Sequence, residues 1–362
     1  MSEIIVTTEL EERKAGKELY SYQKGAIDKI FKLFEEAQDD YHLLYQLPTG
    51  GGKTVIFSEI VRQYLKHHQK KVLVMTHRIE LCRQTSSVLT DFGVNNKVVD
   101  STANLDDQKD YSCFVAMVET LNNRLNDDKL DISDIGLVII DEAHYNSFTK
   151  LFKFFEKSFI LGVTATPLSS NIKLPMNDNY NELIVGETIE SLIEHEFLAR
   201  AKTFSYNVGL TSLVVGSNGD YTVKSSEDLY TNTQMLGKLL QAYEERSKGK
   251  KTLIFNNGIN TSIHVYETFK AAGYPIAHLD NTATKKERAF LLKWFKETPN
   301  AILTSVSILT TGFDEPTVDT IILNRATKSL TLYYQMIGRG SRILKNKSEF
   351  NVIDLGNNFH RF

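Results

Sequence analysis

The stretch from Leu47 to Thr54 constrains the fold more than any other, because it reads Leu-Pro-Thr-Gly-Gly-Gly-Lys-Thr between two apolar segments. Residues 41–46 are typical of a buried strand, and residues 55–65 have the apolar spacing of an amphipathic helix. A strand, a glycine-rich turn, Lys-Thr and a helix follow one another in this order in phosphate-binding loops. A purely structural turn is the alternative, but the Lys-Thr pair favours a phosphate site.

The loop has the chemistry that ATP with Mg²⁺ requires. Three consecutive glycines let backbone N–H groups surround a phosphate chain, and the following helix presents the positive end of its dipole. Lys53 adds a cation, and Thr54 adds a hydroxyl for Mg²⁺. Leu47 stands where the general G-x-x-x-x-G-K-[ST] pattern has a glycine. The candidate nucleotide contacts here are Thr49, Gly50, Gly51, Gly52, Lys53 and Thr54.

Length and composition indicate a globular protein of two domains. The chain has 362 residues, of which 41% are hydrophobic and 24% charged, so two ordinary cores are possible. No N-terminal apolar segment and no apolar run near the length of a membrane span occurs, which predicts a cytoplasmic protein. The two cysteines, Cys82 and Cys113, are expected to be reduced thiols. We place the domain boundary between residues 198 and 199.

Charge is distributed unequally along the chain. Residues 1–198 contain 21 Lys and Arg against 31 Asp and Glu, a net charge of −10. The remaining residues contain 21 against 14, a net charge of +7. The second half is therefore the more attractive one for a polyanion, although a solvated basic face explains the charge equally well.

An acidic pair follows a second apolar run, at residues 135–140. Asp141 and Glu142 come directly after this predicted strand, in the same α/β layer as the phosphate loop. Asp141 can hold Mg²⁺ through water, and Glu142 can orient and deprotonate an attacking water. His144 is either a relay of the nucleotide state or a structural histidine. The strand at residues 159–163 then delivers Thr164 and Thr166, which can connect the acidic pair to a ligand.

Two further segments of the first half are candidate ligand contacts. Gln23 can hydrogen-bond an adenine edge and Tyr20 can stack on the ring, although a glutamine at a helix start is often a surface residue. Thr76 and Arg78 follow the predicted strand at residues 71–75, where parallel strands face a binding crevice. They are candidates for phosphate contacts with a nucleic-acid strand, unless Arg78 is simply exposed.

The alternation of strands and helices predicts an α/β fold with parallel, doubly wound sheets in both halves. Before the boundary we predict a helix within residues 183–197. In the second half, residues 213–215 and 221–223 are expected to form a hairpin around an Asn-Gly turn, either a strand-separating wedge or a surface hairpin. A helix is predicted over residues 231–246.

A helix starting near Leu330 is predicted to carry Gln335, Arg339 and Arg342 on one face, since they are spaced i, i+4 and i+7. Two guanidinium groups on one face repel unless an anion lies between them, and a triphosphate held by the other domain would be that anion. Gly338 and Gly340 within this stretch indicate close approach to another surface.

Together these motifs resemble those of the superfamily 2 helicases, over nearly the whole chain, and the helicase form of the phosphate loop accommodates Leu47. The resemblance is closest to the group that contains RadD, type III restriction helicase subunits, XPB-like helicases and phage recombination helicases. The similar segments are Pro48–Thr54 (motif I), Asp141–His144 (motif II, DEAH type), Thr164–Thr166 (motif III), Thr310–Asp314 (motif V), Gln335–Arg342 (motif VI), Tyr20–Gln23 (the adenine-reading region), and Thr76–Arg78 with Thr120 (motifs Ia and Ib).

This resemblance implies two tandem RecA-like domains and an ATP-dependent helicase, most of whose relatives act on DNA. It implies that Lys53, Glu142, Arg339 and Arg342 are catalytic. The other implied contacts are Gly312, Asp314 and Gln335 for the nucleotide, Thr54 and Asp141 for Mg²⁺, and Thr76, Arg78, Thr120 and Thr311 for nucleic acid.

The expected partner is single-stranded or branched DNA, and the expected oligomeric state is a monomer. An RNA helicase and a nucleotide-gated clamp on duplex DNA are the alternatives. The chain stops 20 residues after Arg342, without the long C-terminal domains of DEAH RNA helicases, which favours DNA.

Overall fold

The computed structural model describes residues 19–37, 41–103, 107–126, 131–169, 174–306, 309, 313 and 315–362. The predicted motif residues Thr311, Gly312 and Asp314 lie outside them. The chain divides into two compact units, Met1–Pro48 with Gly52–Thr188, and Ile189–Phe362 with Thr49–Gly51. The functional boundary at residue 198 stays a prediction.

The first unit is a parallel sheet of seven strands within the described residues. The strands are β1 (His42–Gln46), β2 (Lys71–Thr76), β3 (Asn96–Val99), β4 (Cys113–Met117), β5 (Ile135–Asp141), β6 (Phe159–Thr164) and β7 (Glu182–Val185). Their order is β3-β4-β2-β5-β6-β1-β7. The helices are Ser21–Glu36, Lys53–His67, Ile79–Asp91 and Val118–Asn126, and Asn146–Phe154 is a 3₁₀ segment.

The central strands of this sheet are buried because helices and connecting segments cover both faces. β5 is buried at every position, which explains its unbroken apolar run. Because β1, β2, β5 and β6 are parallel, the loops that follow them lie at one edge. This edge carries the phosphate loop, Thr76–Arg78, the acidic pair and Thr164–Thr166.

The prediction that residues 183–197 contain a helix is confirmed, but the strand that precedes this helix was not predicted. Leu183 to Val185 belong to the edge strand β7, which pairs with β1, and the helix of this region is Ile189–Glu194. The alternation of exposed and buried residues in a four-residue edge strand is too short to distinguish from a helical pattern. The short edge strand β3 was likewise absent from the sequence-based prediction.

The second unit is also parallel, with six strands among the described residues, and both units match the predicted fold class. The strands are β8 (Arg200–Ser205), β9 (Thr252–Asn256), β10 (Ile276–Leu279), β11 (Ile302–Ser305), β12 (Thr320–Asn324) and β13 (Glu349–Asp354), in the order β10-β11-β9-β12-β13-β8. The helices are Val223–Tyr230, Thr233–Ser247, Ile259–Ala271, Lys285–Glu297 and Leu330–Ile337. Two apolar clusters cover opposite faces, one around Leu253 and Leu323 and one around Ile254 and Ile322.

The predicted hairpin at residues 213–223 is wrong in extent. Val215 and Tyr221 form a single antiparallel bridge, and Val223 already begins a helix. Thr222 ends any strand because its hydroxyl accepts a hydrogen bond from Ser225 N–H and caps that helix. The predicted helix at residues 231–246 starts at Thr233 for a similar reason, since the Asn232 side chain caps it.

The prediction that Gln335, Arg339 and Arg342 share one helix face is also wrong. The helix ends at Ile337, and residues 338–340 form a turn, so only Gln335 is helical. Gly340 is required there, because a Cβ at this position would lie 2.2 Å from the Phe350 ring. The close approach predicted from the glycines is therefore confirmed at Gly340, but it occurs in the turn after the helix and not within the helix.

Cys82 and Cys113 are both buried free thiols. Among the described residues, none of the helices combines the length and apolar character needed to cross a bilayer.

Candidate functional site

The glycine loop adopts a backbone conformation that side chains disfavour. Gly50 has φ 95° and Gly52 has φ 86°, both in the left-handed region that glycine adopts readily. Gly52 also has no room for a Cβ, which would lie 2.6 Å from Gln23 Nε2. Lys53 begins the following helix, so that its N-terminal N–H groups point into the loop.

The loop contains polar atoms that a phosphate can satisfy. The buried Thr49 hydroxyl has no hydrogen-bond partner among the described residues. The Lys53 side chain is also buried, and its ammonium makes a long hydrogen bond of 3.3 Å to the carbonyl oxygen of Leu47. A ligand phosphate would provide both groups with a stronger acceptor, so the residues fit a nucleotide phosphate chain.

Asp141 lies at the end of β5 and is 6% exposed. Burial and the neighbouring Glu142 carboxylate raise the pKa of Asp141, whereas Lys53 lowers it. A buried carboxylate beside a second carboxylate is stabilised by a cation. Asp141 therefore fits the role of a Mg²⁺ ligand, with the half-buried Thr54 hydroxyl as the other predicted ligand.

Glu142 has a strained backbone. Its φ of 55° lies in the left-handed region, which costs a non-glycine residue about 1–3 kcal/mol. The buried Oε2 atom lies 3.4 Å from His144 Nδ1, and the described residues offer it no hydrogen bond. An acidic side chain that is held at a conformational cost and left with a free acceptor atom is suited to contact a water or substrate proton.

His144 links Glu142 to the third motif. Its Nδ1 lies 3.0 Å from the Thr164 hydroxyl. That hydroxyl donates to the carbonyl oxygen of Thr166 and accepts from its N–H, so it must also accept from His144. Nδ1 therefore carries the proton and faces both Thr164 and Glu142. Burial lowers the pKa of His144, which favours the neutral ring.

The adenine-reading candidates lie near the loop. Gln23 is buried, and its Oε1 accepts from the Tyr20 N–H at 3.0 Å, while Nε2 lies close to Gly52. Tyr20 is 51% exposed, with its ring centroid 6.0 Å from that of Tyr22. The structure therefore places Gln23 next to the loop, but the Gln23 side-chain oxygen Oε1 already accepts the hydrogen bond that caps the helix.

The nucleic-acid candidates differ in exposure. Thr76 is fully buried, and its hydroxyl donates to the carbonyl oxygen of Arg78, so it shapes this segment rather than facing solvent. Arg78 and Thr120 are half-buried at the starts of two helices. Thr311 lies outside the described residues.

The arginine loop, residues 338–342 of the second unit, is held by bonds within that unit. Arg339 Nη1 donates to the carbonyl oxygen of Phe313 at 2.5 Å. Ser341 Oγ donates to the carbonyl oxygen of Gly338, and the Ser341 carbonyl oxygen accepts from Ala199 N–H. Buried Gln335, at the end of the preceding helix, has an Nε2 without a partner among the described residues.

Lys347 is a residue of this region that the sequence-based prediction missed. Its ammonium donates to the carbonyl oxygens of Gly340 and Pro316 at 2.8 and 2.9 Å, and so ties the arginine loop to the segment before β12. Burial lowers its pKa to about 8, as does Arg342, while Asp319 and Glu315 raise it. A single lysine in a charged tail gave no sequence signal for this contact.

Lys347 should make the stability of the protein pH-dependent. Because its pKa falls from 10.5 to about 8 on folding, the unfolded state holds more protons between these values, and wild-type stability rises with pH there. We expect a gain of roughly 2 kcal/mol between pH 7.5 and 9.5. Lys347→Met should lack this gain in denaturant unfolding, whereas the exposed Lys345→Met should keep it. Equal pH dependence in wild type and Lys347→Met would contradict this prediction.

Comparison with known proteins gives two domain matches in chain order. Residues 16–169 match the family model described as Type III restriction enzyme, res subunit, and residues 232–344 match that of the helicase conserved C-terminal domain. Together the two matches occupy most of the chain.

Individual proteins are similar over nearly the whole chain. A candidate ATP-dependent helicase of Saccharomyces cerevisiae, IRC3, is 30% identical over 93% of this chain and 51% of its own length. A 51.5 kDa protein of Lactococcus phage (isolate 7-9) is 29% identical over 88% of this chain and 66% of its own. The chain thus spans about half to two thirds of these relatives.

A solved structure shares the fold. The ATP-dependent Type ISP restriction-modification enzyme LlaBIII, bound to DNA, superposes with a TM-score of 0.71 at 18% identity. The match covers 94% of this chain and 28% of that protein.

Proposed function

Because the chain belongs to the superfamily 2 helicases, we propose that it is an ATP-dependent DNA helicase or translocase. The observation that supports this most is the meeting of Lys53, Asp141 and Glu142 at one edge of the first sheet. A phosphate-binding cation, a metal-binding carboxylate and a candidate base at one edge are the groups that nucleotide hydrolysis requires.

Phosphate binding is assigned to the glycine loop and Lys53. The backbone N–H groups of Gly50–Gly52 and the Lys53 ammonium hold the phosphate oxygens, and Thr54 and Asp141 hold Mg²⁺. When bound, this ion neutralises phosphate charge. Lys53 and Asp141 lie close enough for the lysine charge to lower the pKa of Asp141. The phosphates would therefore bind next to the positive Lys53, and the metal ion next to the negative Asp141.

Glu142 is the proposed general base. Its carboxylate orients a water and accepts its proton as the water attacks the γ-phosphate. His144, whose Nδ1 donates to the Thr164 hydroxyl, lies 3.4 Å from the Glu142 carboxylate and packs beside it. A shift of the Thr164–Thr166 segment would therefore move His144, which lies next to the base.

The arginine loop is the proposed source of positive charge for the transition state. Arg339 and Arg342 are assigned to stabilise the charge that develops on the γ-phosphate. Gln335, Gly312 and Asp314 are assigned to nucleotide contacts. Hydrolysis then depends on residues from both units, so a nucleic acid that favours the active arrangement would stimulate ATPase activity.

Nucleic-acid binding is assigned to the segments containing Arg78, Thr120 and Thr311, and would be mainly to backbone phosphates. The family model that matches the first unit is named for a restriction enzyme subunit, and a protein of the same fold is bound to DNA. The net charge of +7 on residues 199–362 suits DNA and RNA equally. The name of the family model and the DNA-bound protein support DNA as the substrate, and we propose that it is single-stranded or branched DNA in repair or recombination.

ATPase titration across nucleic acids tests the proposal. We expect single-stranded or branched DNA to raise kcat for ATP hydrolysis, and the effect to weaken at higher salt because phosphate contacts dominate. The same titration with RNA and duplex DNA, and a strand-displacement assay, complete the experiment. Stimulation by RNA alone would overturn the DNA assignment, and displacement of a triplex strand without unwinding would indicate a duplex motor. A chain without nucleic-acid-stimulated ATPase activity would contradict the proposal as a whole.

A further inference from the structure

His77 lies in a stack of three rings beside the candidate base. It follows β2, and its ring centroid lies 4.3 Å from that of Tyr145. The centroid of Tyr145 lies the same distance from that of His144, with a tilt of 37° in both pairs. His144 in turn lies 3.4 Å from the Glu142 carboxylate. These contacts form a continuous path from the end of β2 to the carboxylate.

Neither ring nitrogen of His77 makes a hydrogen bond to the described residues. Both nitrogens are buried, so the absence of a partner among these residues costs stability. Burial lowers the pKa of His77 to about 4, and the adjacent Arg78 contributes, so the ring is neutral at physiological pH. His77 therefore acts here as an uncharged aromatic ring, whose contribution is its packing against Tyr145.

The position of His77 connects two segments with different proposed roles. On one side are its chain neighbours Thr76 and Arg78, which are bonded to each other through the Thr76 hydroxyl. On the other side are Tyr145 and His144, which belong to the turn that holds Glu142 in its strained conformation. A displacement of the Arg78 segment would press directly on that turn, because packed rings have little free volume.

We propose that His77 is a positioning residue that couples nucleic-acid binding at the Arg78 segment to the placement of Glu142, through the stack His77–Tyr145–His144. This inference rests on the proposed function, because it assumes that nucleic acid stimulates ATP hydrolysis. It assigns the stimulation to a contact path within the first unit. The path acts on the base and not on nucleotide binding, so it should affect the stimulation of kcat by nucleic acid and leave the basal kcat and the KM for ATP unchanged.

His77→Ala tests the path, with His77→Phe as the variant that keeps an aromatic ring. In the full chain, His77→Ala should lower the stimulation of kcat by saturating single-stranded DNA roughly 2-fold to 30-fold, the range for changes in energetic coupling. Basal ATPase activity, the KM for ATP and DNA affinity by fluorescence anisotropy should stay at wild-type values. His77→Phe should keep most of the stimulation. The exposed His67→Ala, in the same unit, serves as the matched control and should behave as wild type.

A double-mutant cycle distinguishes coupling from general damage. His77→Ala, Tyr145→Ala and the double variant should lower stimulation by similar factors, since each interrupts one path. Independent, multiplying effects would overturn the proposal, as would wild-type stimulation in His77→Ala. A loss in His77→Phe equal to that in His77→Ala would also overturn it, because the ring contact would then not be what matters. If the wild-type chain shows no stimulation by nucleic acid, both this inference and the proposed function fail, whereas normal wild-type stimulation with an unaffected His77→Ala contradicts only the inference.

Discussion

Replacing Glu142 with glutamine is expected to lower kcat for ATP hydrolysis about 10²-fold to 10⁴-fold, the usual contribution of a general base. Glutamine keeps the shape of the side chain but cannot accept the proton of the attacking water. Because the phosphate loop is unchanged, ATP affinity should stay close to wild type. Single-turnover hydrolysis and equilibrium binding of a fluorescent ATP analogue measure the two quantities separately.

The control for this variant is Glu156→Gln, an exposed glutamate of the same unit. It makes the same chemical change away from the site and should hydrolyse ATP at the wild-type rate. Turnover by Glu142→Gln within about tenfold of wild type would show that Glu142 is not the base, since that loss is smaller than the range for general-base catalysis.

Arg339→Ala is expected to lower kcat about 10³-fold to 10⁵-fold, the effect of removing an arginine that stabilises a phosphoryl-transfer transition state. The guanidinium is half-buried and donates to the carbonyl oxygen of Phe313, which fixes its position within its own unit. ATP binding should persist, because the glycine loop and Lys53 remain intact. Arg339→Lys should not restore activity, since an ammonium cannot reproduce the planar fork of donors.

Arg200→Ala is the matched control, because it removes an exposed arginine at the start of β8. It should leave kcat unchanged, and the melting temperature of both variants should exclude unfolding as the cause of a loss. A kcat for Arg339→Ala within about tenfold of wild type would contradict the assigned role, as its loss would be far below that of a catalytic arginine.

The sequence predicted the fold well where the residues of one strand or loop were enough to identify it. Strands such as β5 are covered on both faces, so their apolar runs could be recognised without knowledge of their neighbours. The phosphate loop was equally recognisable, because glycines, Lys53 and Thr54 must be consecutive to surround a phosphate. Their spacing is a local property of the chain.

Predictions failed where the outcome depended on a contact distant in sequence. The helix after Leu330 ends at Ile337, since Gly340 packs against Phe350 and the arginine loop is bonded elsewhere. Residues 183–185 pair with β1 as an edge strand, which no pattern within four residues can specify. For the helix after Leu330, helical spacing was the wrong guide, because tertiary contacts outweigh local propensity.

The sequence alone thus determined the fold class, the phosphate loop and the acidic pair, since each is encoded by neighbouring residues with a fixed period or order. Only the tertiary structure showed the strained backbone of Glu142, the proton position on His144, the hydrogen bonds of Lys347 to the arginine loop and the packing of His77 on Tyr145. These features depend on contacts between residues that are distant in sequence. His144 and Thr164 are 20 residues apart, and His77 and Tyr145 are 68 residues apart. Burial then shifts protonation and removes hydrogen-bond partners, which are physical effects that no linear pattern records.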